Sequence, residues 1–130
     1  MASIFTKIIK GEIPAYKVAE TEQYLAFLDI NPLHRGHTLV IPKIEIDYIF
    51  DLENDILQGL ILFSKKVAAA IEKTVQCKRI GIAVLGLEVP HAHIHLVPIN
   101  SVHDIDFKKP RVHLSPVQFQ DLADQIATNF

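Results

Sequence analysis

Apolar and polar residues alternate strictly from His91 to Leu96, ahead of Val97, with Ala92, Ile94 and Leu96 on one side and His91, His93 and His95 on the other. Alternation of this kind, opening at Pro90, predicts a half-buried strand whose successive side chains face opposite ways. At a rise of about 3.3 Å per residue, neighbouring imidazoles in the row stand roughly 6.5–7 Å apart and can converge on one small anion or ion. Spacing alone leaves three readings open. The row could serve an anion, hold zinc, or be a polar strand face that happens to carry histidine.

The same kind of pattern predicts the rest of the chain. Ser3 is placed to cap a short helix carrying Ile4, Phe5, Ile8 and Ile9 and ending at Gly11. Tyr16–Glu20 and Tyr24–Leu28 read as two strands of a hairpin, and Gly36–Pro42 as a third strand closed by proline. From Asp51 to Lys73 the period changes to that of a helix, with Ile56, Leu57, Leu60, Ile61, Ser64, Val67, Ala68 and Ile71 on one stripe. Leu62 lies off that stripe, which points either to a partner surface or to a broad core face. Ile80–Leu85 predicts a fourth, almost wholly apolar strand, turned back toward the histidines by Gly86-Leu87-Glu88. Residues 99–114 have no period and read as loop. Ser115-Pro116-Val117-Gln118 has the form of a capping box ahead of Phe119, Leu122, Ala123 and Ile126. These elements predict an α+β fold: a five-stranded antiparallel sheet with one long helix and short terminal helices, spanning residues 1–130 as a single domain.

Composition narrows the function. With 49% hydrophobic residues in 130, the chain can bury a core without disulfides or a structural metal. A formal net charge of −2 argues against a protein held to DNA or RNA by a basic face, so any nucleotide it takes is expected to be small. The lone Cys77 has no internal partner, the segment from Met1 to Lys7 lacks a secretion signal, and no apolar run approaches the ~20 residues of a membrane helix. A cytoplasmic setting without a membrane is the expectation.

Beyond these readings, four segments in order resemble the histidine triad family. They are Ile4–Pro14, Phe27–Ile30, Gly36–Lys43 and the triad at His91, His93 and His95. The resemblance is closest to the Hint-like bacterial branch, whose members are nucleoside phosphoramidases and dinucleotide polyphosphate hydrolases. It implies that His93 attacks the α-phosphorus of a nucleotide to form a nucleotidyl-histidine that water then cleaves. It further implies that His91 and His95 orient that nucleophile and bind the phosphate or leaving group, with His37 as a fourth imidazole nearby. Asp29 would hydrogen-bond the ribose, and Phe5, Ile8, Ile13, Phe27 and Ile30 would sandwich a purine base. Neutral imidazole, with a reference pKa near 6.5, is a competent nucleophile at pH 7, and a transferring phosphoryl group needs positioned donors.

The chain also departs from the resemblance. Ser3 and Thr6 stand where many bacterial relatives carry a Cys-x-x-Cys pair that helps bind zinc, and Glu45 stands for a histidine, so neither a metal nor another cofactor is expected. Ile80 and Ile82 replace an amide residue and a glycine. In the turn, Gly86 keeps a backbone donor for phosphate, whereas Glu88 supplies an acceptor-only carboxylate in place of a hydroxyl. The expected partners are a purine nucleotide and a second copy of the chain, as a homodimer. Slow turnover as a nucleotide-binding regulator, dinucleoside polyphosphate hydrolysis and a three-histidine zinc enzyme are the competing readings.

Overall fold

A computed structural model describes residues 2–130. Its elements follow the apolar periodicities closely. Helix α1 (Ile4–Ile9) is capped by Ser3, whose hydroxyl accepts the Thr6 N–H at 3.1 Å. Strands β1 (Lys17–Glu20), β2 (Tyr24–Leu28) and β3 (Thr38–Pro42) form an antiparallel meander. A 3₁₀ turn at Ile49–Asp51 leads into the long helix α2 (Asn54–Thr74), after which β4 (Arg79–Ala83) and β5 (Ile94–Ile99) complete the sheet. Helix α3 (Pro116–Asn129) closes the chain, and its capping box is present in full. No helix among the described residues is long and apolar enough to cross a membrane.

The sheet order is β1-β2-β3-β5-β4, so the last strand in the chain lies between β3 and β4. All pairings are antiparallel, with Leu39 opposite His95 and His95 in turn opposite Ala83. Alternation then divides the chain between two layers. Ala26, Leu28, Val40, Ile94 and Leu96 face α2 and α3, packing on Leu60, Val67, Ile71, Leu122 and Ile126. Leu25, Phe27, Leu39 and Ile41 face the other way, onto Phe5 and Ile8 of α1. With both faces covered, β2 and β3 are buried at every residue. Their continuous apolar runs, Tyr24–Leu28 and Thr38–Pro42, suit that position.

Three expectations need correction. The histidine row is not one strand: β5 begins at Ile94, so His91 and His93 lie in the extended segment ahead of it and only His95 is in the ladder. Their side-chain alternation survives because that segment is still held by neighbours, Ala92 N–H donating to the Ile46 carbonyl at 2.7 Å. On α2 the buried stripe runs through Leu60, Phe63, Ser64, Val67, Ala70 and Ile71, while Ile61 is 46% exposed. The helix is thus rotated toward Phe63, which stacks on Tyr24 with centroids 5.6 Å apart. Finally, the fourth strand spans Arg79–Ala83 and not Ile80–Leu85: it is an edge strand whose Ile82 side chain is open to solvent, and Val84 and Leu85 lie beyond its ladder.

Gly59 explains how α2 sits so close to the sheet. A Cβ there would come within 2.0 Å of the Tyr24 hydroxyl, which donates to the Ile56 carbonyl at 2.9 Å. Alanine at a helix interior normally gains up to about 1 kcal/mol over glycine. Here displacement of the stacked Tyr24 ring should outweigh that gain, so G59A should lower stability by about 1–2 kcal/mol net in urea denaturation, set against the 1–3 kcal/mol usual for overpacking. A stabilised G59A protein would show that the Tyr24 ring moves aside freely.

Candidate active site

Four imidazoles gather where β3 begins, β5 begins and the segment before β5 crosses the end of β3. Each is buried, His37 and His91 completely. A buried ring seeks partners for its nitrogens, and here a main-chain group in three cases anchors the chain of bonds that fixes the tautomers. Leu33 N–H donates to His37 Nδ1 at 3.0 Å, so the His37 proton resides on Nε2. That Nε2–H donates to His95 Nδ1 at 2.9 Å, which in turn places the His95 proton on its own Nε2. His91 Nε2 lies 2.8 Å from the Pro42 carbonyl, which can only accept, and the Ser3 hydroxyl then donates to His91 Nδ1 at 2.9 Å. His93 Nδ1 donates to the His91 carbonyl at 2.7 Å. The His93 Nε2 lone pair has no hydrogen-bond partner among the described residues, on a side chain that lines a cleft.

That cleft has a volume of about 360 Å³, within the range of small-molecule sites. Of the expected residues, His93 and His95 line it, as do Asp29, Gly86 and Glu88. Its apolar walls include Phe5, Ile8, Ile13, Phe27 and Ile30, the last largely exposed at the rim. His37 and His91 do not reach the cleft; they stand behind its lining histidines. Phe5 meets His93 edge-on, with centroids 5.1 Å apart, and Phe27 at 5.5 Å. Two lining residues, Phe107 and Arg111, come from the segment that showed no period in the sequence. Phe107 packs on His95 at 4.9 Å between centroids, and Arg111 lies beside it with its guanidinium carbon 5.4 Å from the ring centre. Nothing in the spacing of residues 99–114 marks them, because the fold, not a repeat, returns that segment to the site.

Burial controls the charge. It holds His37 down at about 3, with His95 and Arg111 pushing the same way. It holds His95 at about 4, aided by His93 and Arg111. His91 is also lowered by burial, though the Pro42 carbonyl and Glu45 resist. Asp29 is raised by burial, against the Asn31 N–H that its Oδ1 accepts at 2.8 Å and the nearby Arg111. His37, His91 and His95 are therefore neutral at pH 7, acting as directed dipoles and not as cations.

Two clusters bear on metals. Asp29, His37 and His95 bring one ligand atom each within 4.8 Å of one another. The His37 atom in that set is the protonated Nε2, and a ring whose Nδ1 accepts from Leu33 would have to become imidazolate to bind a cation there. Ser3 and Thr6 engage His91 and Glu45: the Ser3 N–H and the Thr6 hydroxyl both donate to Glu45 Oε1, at 2.6 and 2.5 Å. Those two bonds hold Glu45 down at about 2. Neutral hydroxyls already committed to this network do not fit a structural zinc site, which calls for thiolate, imidazole or carboxylate ligands.

Residues 10–102, more than half the chain, match the family model described as the HIT domain. The chain belongs to the histidine triad (HIT) family. Among HIT relatives, the protein named adenosine 5'-monophosphoramidase hnt1 of Schizosaccharomyces pombe is 34% identical over 130 residues, covering 98% of each chain. An uncharacterised HIT-like protein of Borreliella burgdorferi is 36% identical over 134 residues, covering 97% of this chain and 96% of its own. The crystal structure of a Hit-like protein involved in cell-cycle regulation from Bartonella henselae, with an unknown ligand, superposes with a TM-score of 0.86 at 28% identity, covering 98% and 96% of the two chains. The five-stranded sheet with its long and terminal helices is thus a HIT fold.

The neutral histidines make folding pH-dependent. An unfolded histidine binds a proton near pH 6.5, whereas His37 and His95 in the folded HIT domain hold theirs only near 3 and 4. Between those values the unfolded chain carries more protons, so stability rises with pH there and is lost as pH falls. Thermal unfolding should therefore show a flat midpoint from pH 8 to 7 and a steady decline from about 6.5 to 4. A midpoint unchanged over that lower range would contradict burial of the neutral rings.

Proposed function

We propose that this HIT protein is a nucleotide hydrolase or transferase that cleaves the α-phosphorus bond of purine nucleoside phosphoramidates, or of related AMP esters and anhydrides, through a nucleotidyl-His93 intermediate. One observation carries the reading: His93 gives its Nδ1 proton to the His91 carbonyl and keeps a bare Nε2 lone pair at the cleft. The base sits between Phe5, Ile8, Ile13, Phe27 and Ile30, and Asp29 accepts from the ribose hydroxyls. Nε2 attacks the α-phosphorus, forming a P–N bond as the bond to the leaving group breaks. The His95 Nε2–H, oriented by His37, donates a hydrogen bond to the departing nitrogen or oxygen, which takes its proton from solvent. Water then attacks the phosphorus, the P–N bond breaks and frees His93, and the nucleoside monophosphate leaves as the proton of the attacking water passes to solvent. No metal enters these steps. The phosphoramidase name of the fission-yeast relative supports the choice of substrate.

Covalent transfer predicts a specific loss. In steady-state hydrolysis of adenosine phosphoramidate with a chelator present, the wild type should turn over and H93A should fall by about 10⁴-fold or more, as expected for removal of a nucleophile. An H93A enzyme retaining a tenth of the rate would overturn the mechanism. The turn at residues 86–88 favours a second reading, since Leu87 is 90% exposed and Glu88 offers no side-chain donor to phosphate. Tight AMP binding with negligible turnover of phosphoramidates and dinucleoside polyphosphates alike would identify a nucleotide-binding regulator instead.

We also propose a homodimer. Ile61 and Leu62 on α2 are exposed, and the free edge of β4 carries exposed Ile82. Apolar residues of this kind and an unpaired edge are normally covered. Light scattering at micromolar concentration should return twice the 14.6 kDa chain mass; a monomer at that concentration would refute it.

A further inference from the structure

The connection from β5 to α3 reaches back to the β2–β3 link and is fastened there. Val112 N–H donates to the Pro32 carbonyl at 2.9 Å, and Arg111 Nη1 donates to the Asn31 carbonyl at 2.8 Å. Arg111 Nη2 donates to the Phe107 carbonyl at 3.2 Å. These bonds fix a guanidinium at the wall of the cleft and use two of its five N–H groups. Among the described residues no carboxylate lies within ion-pair distance of it.

The charges around it set the need for a cation. Two carboxylates, Asp29 and Glu88, line the cleft, and Arg111 is the only lysine or arginine among the described residues that does so. His95, which lines the cleft and is held neutral by burial, can donate a hydrogen bond but supplies no positive charge at pH 7. An entering phosphate would otherwise face two like charges with no lysine or arginine beside it. A planar guanidinium, already positioned by main-chain carbonyls and left with free donors, is suited to a phosphate, because little of its freedom remains to be lost on binding. The side chains of the 86–88 turn offer no such donor.

We propose that Arg111 is the phosphate-binding residue of the cleft, and that it selects ligands bearing a nucleotide phosphate over the corresponding nucleosides. This rests on the nucleotide reading above. Phe107, held between the His95 ring and the Arg111 side chain, is the positioning residue that keeps the guanidinium against the cleft.

The test compares AMP and adenosine binding by calorimetry, for the wild type and R111Q. The substitution removes bonds of a surface connection and no core contact, and adenosine binding reports whether the cleft remains formed. The expected result is that AMP affinity drops by about 10- to 100-fold while adenosine affinity changes less than twofold, the loss of a charge-assisted hydrogen bond. Equal losses for both ligands would overturn the proposal and leave Arg111 as an anchor of the connection only. An unchanged AMP-over-adenosine preference would overturn it too. A wild type that binds adenosine and AMP equally would also refute phosphate recognition while leaving the nucleoside cleft standing. Binding of neither ligand to the wild type would instead remove the nucleotide reading itself.

Discussion

The pairing of β3 with β5 is the constraint on which the cleft depends. It sets Thr38 opposite Leu96 and Leu39 opposite His95. That register carries His37, one residue before β3, to within 2.9 Å of His95, and brings the carbonyl at the far end of β3 under His91. A slip of one residue would send His95 into the layer occupied by α2 and bring Leu96 to the cleft, because side chains change face at each step. Burial on both faces makes such a slip costly. The strands that position the chemistry are also among the most deeply buried.

Neutrality at this site is a result of packing, not of composition. Seven histidines and a near-balanced charge say nothing about protonation. Enclosure by Phe5, Phe107 and the sheet removes water from His37, His91 and His95 and disfavours their charged forms, while the protons of His37, His91 and His93 still find acceptors. A charged cluster of four imidazoles would repel itself. With His37 neutral and donating to His95, the site can present a proton at His95 Nε2 beside the Nε2 lone pair of His93.

Much of the fold was legible in the sequence because it rests on periodicity. Strand β2 lies at the residues its pattern marks, and both caps formed at Ser3 and Ser115. The row of histidines was readable as a row, even though only His95 proved to be in a ladder. What stayed hidden depends on tertiary return. Phe63 displaced Ile61 from the core because Tyr24 reaches under α2, a contact 39 positions distant in sequence that no helical wheel contains. Phe107 and Arg111 belong to the cleft because the connection after β5 is tied to Asn31 and Pro32, and a patternless segment gives no sign of where it will be tied. The network of Ser3, Thr6, Glu45 and His91 was visible only as a missing metal site, since hydrogen bonds between distant hydroxyl, carboxylate and imidazole groups leave no spacing to read.

The groups that assign protons to the histidines are the Leu33 amide and the carbonyls of Pro42 and His91. Main-chain atoms are not encoded by the residue that bears them: an amide persists through every substitution except proline, and a carbonyl through all of them. Surrounding side chains can therefore drift widely while the ring orientations are inherited unchanged, as long as the backbone path is kept. The chemistry of such a site is stored in the course of the chain, and a lineage can revise what surrounds the histidines, and so what they act upon, without relearning how to hold them.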